Sequence, residues 1–151
     1  MTFNYNDDII DSRDLYKRQQ ELDGMKSDVE DAQADYDEAL ENFEADEGTQ
    51  EAVNDALQAL KDAQDEFALP EQQELDMLNQ LENEIDDFMH GATLIADDYF
   101  KTYAQQYADD IGAIDRNAGW PLTYIDWDAA AEALKSDFSS VEIEGNTYYF
   151  N

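Results

Sequence analysis

The sequence predicts a mostly α-helical protein, in which a long antiparallel helical hairpin, similar to a coiled coil, precedes a small α+β module with a carboxy-terminal β-hairpin. Apolar residues recur every seven positions from Leu15 to Phe43, which is the spacing of a helix packed against another helix. The spacing returns from Val53 to Phe67. After residue 91 the apolar segments become shorter and turn signals more frequent. We therefore divide the chain into an acidic hairpin, residues 1–91, and a module, residues 92–151.

The first helix is predicted over residues 12–45, on the order of 50 Å at 1.5 Å per residue. Asp11 is expected to cap it, because a carboxylate there accepts free N–H groups at the positive end of the helix dipole. Gly24 lies at an outer position and the seven-residue phase continues past it, so the helix should not break there. The predicted seam comprises Leu15, Leu22, Met25, Val29, Ala32, Tyr36, Ala39 and Phe43.

The return arm is predicted to contain two helices. Residues 46–49 form the turn, in which Gly48 suits the conformation that ends a helix and Thr49 suits the cap of the next. So short a connection makes the second helix, residues 50–68, antiparallel to the first. Pro70 interrupts it, and a third helix follows over residues 71–89. Its predicted apolar face comprises Leu75, Leu78, Leu81, Ile85 and Phe88.

The module is predicted from shorter patterns. Residues 93–95 form a short strand, residues 98–110 a helix capped by Asp97 or Asp98, and residues 112–121 a loop. Asp126 caps a further helix to about residue 136. Strands at residues 141–143 and 147–150 enclose Glu144-Gly145-Asn146 as a β-hairpin. At the amino terminus, Ile9 and Ile10 are expected to pack against the rest of the protein.

Charge restricts the function. The chain carries 39 acidic residues against 8 Lys plus Arg, a net charge of -31. Direct nucleic-acid binding and attachment to an anionic membrane are excluded, because both surfaces would be repelled. The expected partner is a basic protein surface. Since there is no cysteine, the redox compartment cannot be read from the sequence. With no secretory signal and no apolar run of about 18 residues, we expect a soluble protein of the host cytoplasm.

The acidic residues are patterned as well as numerous. Residues 14–90 carry 25 acids and four bases, whereas ordinary coiled coils mix Glu with Lys. Over roughly 50 Å this is about one net charge per 2.4 Å, of the same order as the 1.7 Å of duplex DNA. Two seven-residue columns contain only acids, and none enters the seam. The candidate phosphate-mimicking surface comprises Asp14, Glu21, Asp23, Asp28, Glu30, Asp31, Asp35, Asp37, Glu38, Glu41 and Glu44.

No catalytic, cofactor or metal site is expected. Acids in solvent-facing columns lack the dry pocket that paired catalytic carboxylates need. Asp87-Phe88-Met89-His90 resembles half of a bundle di-iron motif, but this chain has one histidine, and we interpret His90 as a helix-end residue. We interpret the following aromatic residues mainly as core: Tyr99, Phe100, Tyr103, Tyr107, Trp120, Tyr124 and Trp127. We do not expect an enzyme.

The carboxy-terminal third contains several short motifs in a definite order. They are a helix with Phe100-Lys101-Thr102-Tyr103-Ala104, the helix start Tyr124-Ile125-Asp126-Trp127, Asp137-Phe138 after that helix, and a last strand with Tyr148-Tyr149-Phe150. In these parts the chain resembles the last domain of the ArdA-type antirestriction proteins. About 60 residues are covered, and the helical hairpin stands in place of the two amino-terminal domains of that family. The resemblance implies a phage or mobile-element protein that imitates bent duplex DNA and occupies the DNA site of type I restriction and modification enzymes.

The sequence therefore favours a DNA mimic that blocks the basic DNA-binding groove of a host restriction or defence enzyme. Two alternatives remain: a structural or adaptor coiled coil of a phage, and a protein that sequesters a basic nucleoid protein. The oligomeric state is open, a homodimer included.

Overall fold

The computed structural model describes residues 3–115 and 117–151. Its elements, in chain order, are β1 (Ile9–Asp11), α1 (Ser12–Glu44), α2 (Gln50–Glu66), α3 (Leu69–Glu84), β2 (Thr93–Ala96), α4 (Asp97–Asp110), a 3-10 helix (Leu122–Tyr124), α5 (Trp127–Lys135), β3 (Ser139–Ile143) and β4 (Asn146–Phe150). The predicted fold class is confirmed: the chain is mostly α-helical, with a small four-stranded antiparallel sheet that includes both carboxy-terminal strands.

The chain forms two compact units. Residues 17–80 form the first, here called the hairpin unit, and residues 1–16 with 81–151 form the second, here called the sheet unit. This division differs from the sequence-based one at residue 91, because β1 pairs with β2 from Ile9↔Ile95 to Asp11↔Thr93. A composition change along the chain carries no information about such a long-range pairing.

The hairpin unit is antiparallel. The Arg18 guanidinium donates to the Glu74 carboxylate at 2.9 Å and 3.0 Å, and the Gln19 amide donates to Asn79 at 2.8 Å. The start of α1 therefore lies beside α3. The turn closes the other end, where the N–H groups of Glu47 and Gly48 donate to the Asn42 carbonyl. Hence α3 continues the return arm along α1 after the break at residues 67–68.

The caps of α2 follow from its flanking residues. Thr49 is extended and its hydroxyl accepts from the Ala52 N–H at 3.1 Å, as predicted. The prediction for Gly48 is wrong: Asp46 takes the left-handed conformation, with φ 59°. Gly48 instead allows the turn to lie close to Asn42, since a Cβ at position 48 would lie 3.1 Å from the Asn42 Cβ.

The sheet unit is built on a four-stranded antiparallel sheet in the order β1-β2-β4-β3. Side chains alternate across its two faces, so Ile95 and Tyr149 face one side, while Leu94 and Tyr148 face the other. On the first face, α4 and α5 pack through Phe100, which meets Tyr149 and Phe138 edge-on at 5.2 Å and 5.3 Å. Leu94 and Tyr148 on the second face are also buried, so both faces of the central strands are covered.

The opposite face is tied to the amino-terminal segment. The Tyr148 hydroxyl lies 2.8 Å from the carbonyl oxygens of both Tyr5 and Asp7. Ser12 is fully buried and exchanges two hydrogen bonds with Ala92. Ile10 is buried as expected, but Ile9 is exposed.

The predicted end of the third helix is wrong. The helix ends at Glu84, and a turn follows in which Asp87 adopts φ 59°. The Asp87 carbonyl accepts hydrogen bonds from the N–H groups of His90 and Gly91. An aspartate tolerates this left-handed conformation, which stops the helix although the apolar spacing continues to Phe88. The predicted apolar face is nevertheless buried, Phe88 included. The predicted loop at 112–121 includes Arg116, which lies outside the described residues.

Candidate functional site

All eleven predicted site residues lie on α1 and are exposed. Asp14 belongs to the sheet unit and the other ten belong to the hairpin unit. Since seven residues make almost two turns of an α-helix, each acidic column is a stripe with successive carboxylates about 10 Å apart. The two columns flank the apolar seam in sequence, one position before it and one position after it.

Few partners neutralise these acids. Glu21 pairs with Arg18 at 3.1 Å, and Asp37 accepts from the Gln33 amide at 2.9 Å. Asp14 also takes part in an interaction. The other eight make no ion pair or side-chain hydrogen bond with any residue in the described part of the chain: Asp23, Asp28, Glu30, Asp31, Asp35, Glu38, Glu41 and Glu44.

The acid excess is greatest around the turn of the hairpin unit. Residues 27–60 contain twelve acids and no Lys or Arg. They comprise the second half of α1, the turn and the first half of α2, which the antiparallel arrangement brings to one end of this unit. We call residues 27–60 the base-free end. Carboxylates there repel one another without a compensating cation, so the arrangement costs stability.

The opposite end of the hairpin unit is organised differently. The Arg18 side chain is 10% exposed and pairs with Glu74, which is 15% exposed. Hydrogen bonding to Glu74 raises the pKa of Arg18 most strongly; burial opposes the rise and Glu21 adds to it. This pair joins α1 to α3, so here a carboxylate holds the helices together.

Basic side chains of the sheet unit also form ion pairs with carboxylates. The Lys135 ammonium lies 2.7 Å from Asp97 and 2.9 Å from Glu132, over the rings of Phe100 and Tyr149. Burial lowers the pKa of Lys135, but hydrogen bonds to Asp97 and Glu132 outweigh it, and the net shift is upward. Lys101 pairs with Asp128 at 3.1 Å.

The apolar seam of α1 is not equally closed along its length. Leu15 and Leu22 are fully buried, Val29 and Tyr36 are half-buried, and Phe43 is exposed. Facing residues of α2 are better covered, with Val53 and Leu60 both buried. The α1 side of the seam is therefore open towards the base-free end, while the α2 side is buried.

Three aromatic residues interpreted as core are exposed. Trp120 is 78% and Tyr124 79% exposed, and Tyr107 is exposed as well. Phe100 is buried, and Tyr99, Tyr103 and Trp127 are half-buried. Burial raises the pKa of the Tyr103 and Tyr148 hydroxyls. Trp120 lies in the turn before the 3-10 helix and Tyr124 is the last residue of that helix, and neither side chain is covered there.

His90 lies exposed in the turn after α3 and not at a helix end. Within residues 3–115 and 117–151, no cluster of three or more His, Cys, Asp or Glu side chains could hold a metal ion. None of the helices described is both long enough and apolar enough to cross a membrane.

No family model matches this chain, and no curated protein and no solved structure matches it.

Proposed function

We propose that this chain is a DNA mimic, made by a phage or mobile element and acting in the host cytoplasm on a basic DNA-binding protein. The observation that carries the proposal is the display of unpaired carboxylates along α1 and around the base-free end. A stable helix pair does not need them. Their arrangement lowers stability and raises surface potential, as expected where selection acts on binding.

The charge density of the hairpin unit suits this role. Residues 17–80 carry 20 acids and four bases, a net of -16. The part of α1 in this unit is 28 residues, roughly 42 Å, which gives about one net charge per 2.6 Å of axis. Duplex DNA carries one per about 1.7 Å. A groove lined with Lys and Arg to bind DNA would be neutralised to a comparable degree.

Binding of this kind is collective. The release of counterions from both surfaces supplies much of its free energy, so affinity falls steeply with salt, and long-range steering speeds association. Replacing one carboxylate, such as Asp31 or Glu38, by alanine removes about one of many charges. Each single change should therefore have a small effect, and several together should have a large one.

The class of target is proposed from the resemblance to the ArdA-type proteins. That resemblance rests on residues of the sheet unit, including the helix start at Tyr124-Ile125-Asp126-Trp127, where Asp126 caps α5 by accepting from the Ala129 N–H at 3.0 Å. It favours a restriction and modification enzyme as the protein whose DNA-binding groove is blocked.

Electrophoretic competition tests the proposal. A purified type I restriction and modification enzyme is bound to labelled duplex DNA at about 50 mM salt, and the chain is added in increasing amounts, with unlabelled duplex as the positive control. The proposal predicts displacement of the DNA at concentrations similar to those of the unlabelled duplex. Failure to displace DNA from this enzyme, and from other basic DNA-binding proteins at low salt, would exclude DNA mimicry.

A structural or adaptor coiled coil is the second candidate, favoured by the open seam at Val29, Tyr36 and Phe43. An adaptor would bind its partner helix through that seam and would tolerate changes on the outer faces. A variant with Asp28, Asp31, Asp35 and Glu38 replaced by lysine separates the two candidates. The adaptor should keep its partner, whereas the mimic should stop competing with DNA.

A further inference from the structure

A groove crosses the hairpin unit where its return arm is broken. It has a volume of about 470 Å³ and is lined by Val29 and Lys26 of α1, by Phe67 and Ala68 of the break, and by Leu69, the first residue of α3. Leu69 is 68% exposed. We call it the break groove.

The sequence explains why the groove is present. Phe67 leaves helical geometry at φ -115° and ψ 76°, with its N–H still bonded to the Ala63 carbonyl. Pro70 has no N–H to donate to the carbonyl four residues earlier, so α2 does not continue through it, and Pro70 lies in the first turn of α3 instead. The Ala68 N–H is satisfied by the Glu71 carboxylate at 3.2 Å. The break is therefore a stable feature with its own cap, and it leaves apolar side chains uncovered.

The negative charge of this chain indicates which kind of partner can occupy the break groove. A second copy of this chain would bring another net charge of -31, and a lipid surface carrying anionic headgroups would be repelled in the same way. Around the groove Glu30 belongs to the lining, and Glu66 and Asp65 precede the break, while Lys26 is the one base among residues 19–60. An apolar side chain can enter this environment most favourably when cations surround it on its own chain.

We propose that the break groove binds an apolar anchor side chain presented by a cationic segment of the target protein. This inference rests on the proposed function and adds to it a point of short-range recognition. The carboxylates attract any basic surface, duplex-binding or not, whereas the groove selects targets that place an apolar side chain beside their cations. Burial of one anchor should add about tenfold in affinity, which is about 1.4 kcal/mol and the lower end of what a large buried side chain contributes.

Two synthetic helical peptides of equal charge test the inference. Both are lysine-rich and carry a fluorescent label; one has tryptophan at its central position and the other alanine. Their affinities are measured by fluorescence anisotropy over a range of salt concentrations, against the wild type and the Leu69→Ser variant. Since Leu69 is mostly exposed, its replacement should leave the fold intact, which circular dichroism checks.

We expect the wild type to prefer the tryptophan peptide by about tenfold and Leu69→Ser to lose that preference, with the salt dependence of both unchanged. Phe43→Ser is the matched control, because Phe43 is an exposed apolar residue of the same unit that does not line the groove. It should keep the preference. The Lys26→Gln variant should bind both peptides more tightly, by the same factor for each, because it removes a cation.

Three results would overturn the inference: no preference in the wild type, a preference that survives in Leu69→Ser, or equal loss in Phe43→Ser. Steep salt-dependent binding without preference would refute the groove alone and leave the electrostatic surface standing. Absence of binding by either peptide at low salt would refute the proposed function, and this inference with it.

Discussion

The two units carry almost the same net charge but use it differently. Residues 17–80 have a net charge of -16, and residues 1–16 with 81–151 have a net charge of -15. In the sheet unit, each basic residue that the structure describes lies in an ion pair: Arg13 with Asp11, Lys101 with Asp128, and Lys135 with Asp97 and Glu132. In the hairpin unit, twelve acids lie within residues 27–60 without a single Lys or Arg among them. Net charge alone therefore does not identify a binding surface; a continuous stretch of carboxylates without a base does.

Charge reversal on α1 and charge reversal in the sheet unit should differ most in their effect on the affinity for a basic DNA-binding target. Replacing Asp28, Asp31, Asp35 and Glu38 by lysine raises the net charge of the hairpin unit by eight. We expect at least about a hundredfold loss of affinity for a basic DNA-binding target at 50 mM salt, because several charge contacts are lost together. Isothermal titration calorimetry against the same enzyme used for DNA competition measures it.

The matched control reverses four exposed acids of the sheet unit, namely Asp98, Asp110, Asp137 and Glu142. It changes the net charge by the same amount, so any effect of total charge alone would appear equally in both variants. We expect less than about a fivefold loss. Equal losses would contradict the assignment of binding to α1.

Removal of one partner of the buried ion pair should give the largest effect on stability. Glu74→Gln leaves the Arg18 guanidinium, which is mostly buried, without its main counter-charge. We expect a loss of about 1–3 kcal/mol in the free energy of unfolding, measured by urea denaturation with far-ultraviolet circular dichroism.

Glu21→Gln is the control, because Glu21 pairs with the same arginine but is 57% exposed. Its loss should be below about 0.5 kcal/mol. If the two variants were equally stable, the Arg18–Glu74 pair would not be what joins α1 to α3.

Alkaline pH should weaken the sheet unit. The pKa of Lys135 is raised above its ordinary value of 10.5, so its stabilising contribution is complete below pH 10.5 and disappears as pH rises through the folded-state value. The raised pKa of Tyr148 acts in the same direction. Both tryptophans lie in this unit, so urea midpoints from tryptophan fluorescence should be lower at pH 11 than at pH 9. A Lys135→Met variant should show a smaller decline.

Salt should stabilise the hairpin unit slightly. Raising sodium chloride from about 10 mM to 150 mM shortens the screening length from roughly 30 Å to 8 Å and weakens repulsion among the carboxylates. We expect the melting temperature followed by helix circular dichroism to rise by a few degrees. A fall would indicate that cations from another chain neutralise the acidic columns.

The sequence predicted most of the hairpin because one local pattern determines it. Seven-residue spacing gave α1 as residues 12–45, against Ser12–Glu44 in the structure. Side-chain type predicted Thr49 and Asp126 correctly as caps, but the expected cap of α4 at Asp97 or Asp98 is wrong, since its N-cap is Ala96. It missed β1, since three residues, Ile9–Asp11, show no alternation and form a strand only by pairing with β2.

The candidate site was predictable as a set of solvent-facing residues, because acids cannot be buried unpaired and the seam excluded them. The Arg18–Glu74 pair was not predictable from spacing, since residues 18 and 74 meet only when α3 continues along α1. The break groove was not predictable from spacing either, because it depends on the backbone geometry that Phe67 adopts before Pro70.

The salt dependence of binding tests the central claim most directly. The affinity of the wild type for a purified type I restriction and modification enzyme is measured between about 50 mM and 200 mM salt, and log affinity is plotted against log salt concentration. If α1 and the base-free end replace a phosphate backbone, the plot should fall with a slope of about -4 or steeper, and the four-lysine variant of α1 should flatten it. A slope near zero, or one that this variant leaves unchanged, would contradict the claim.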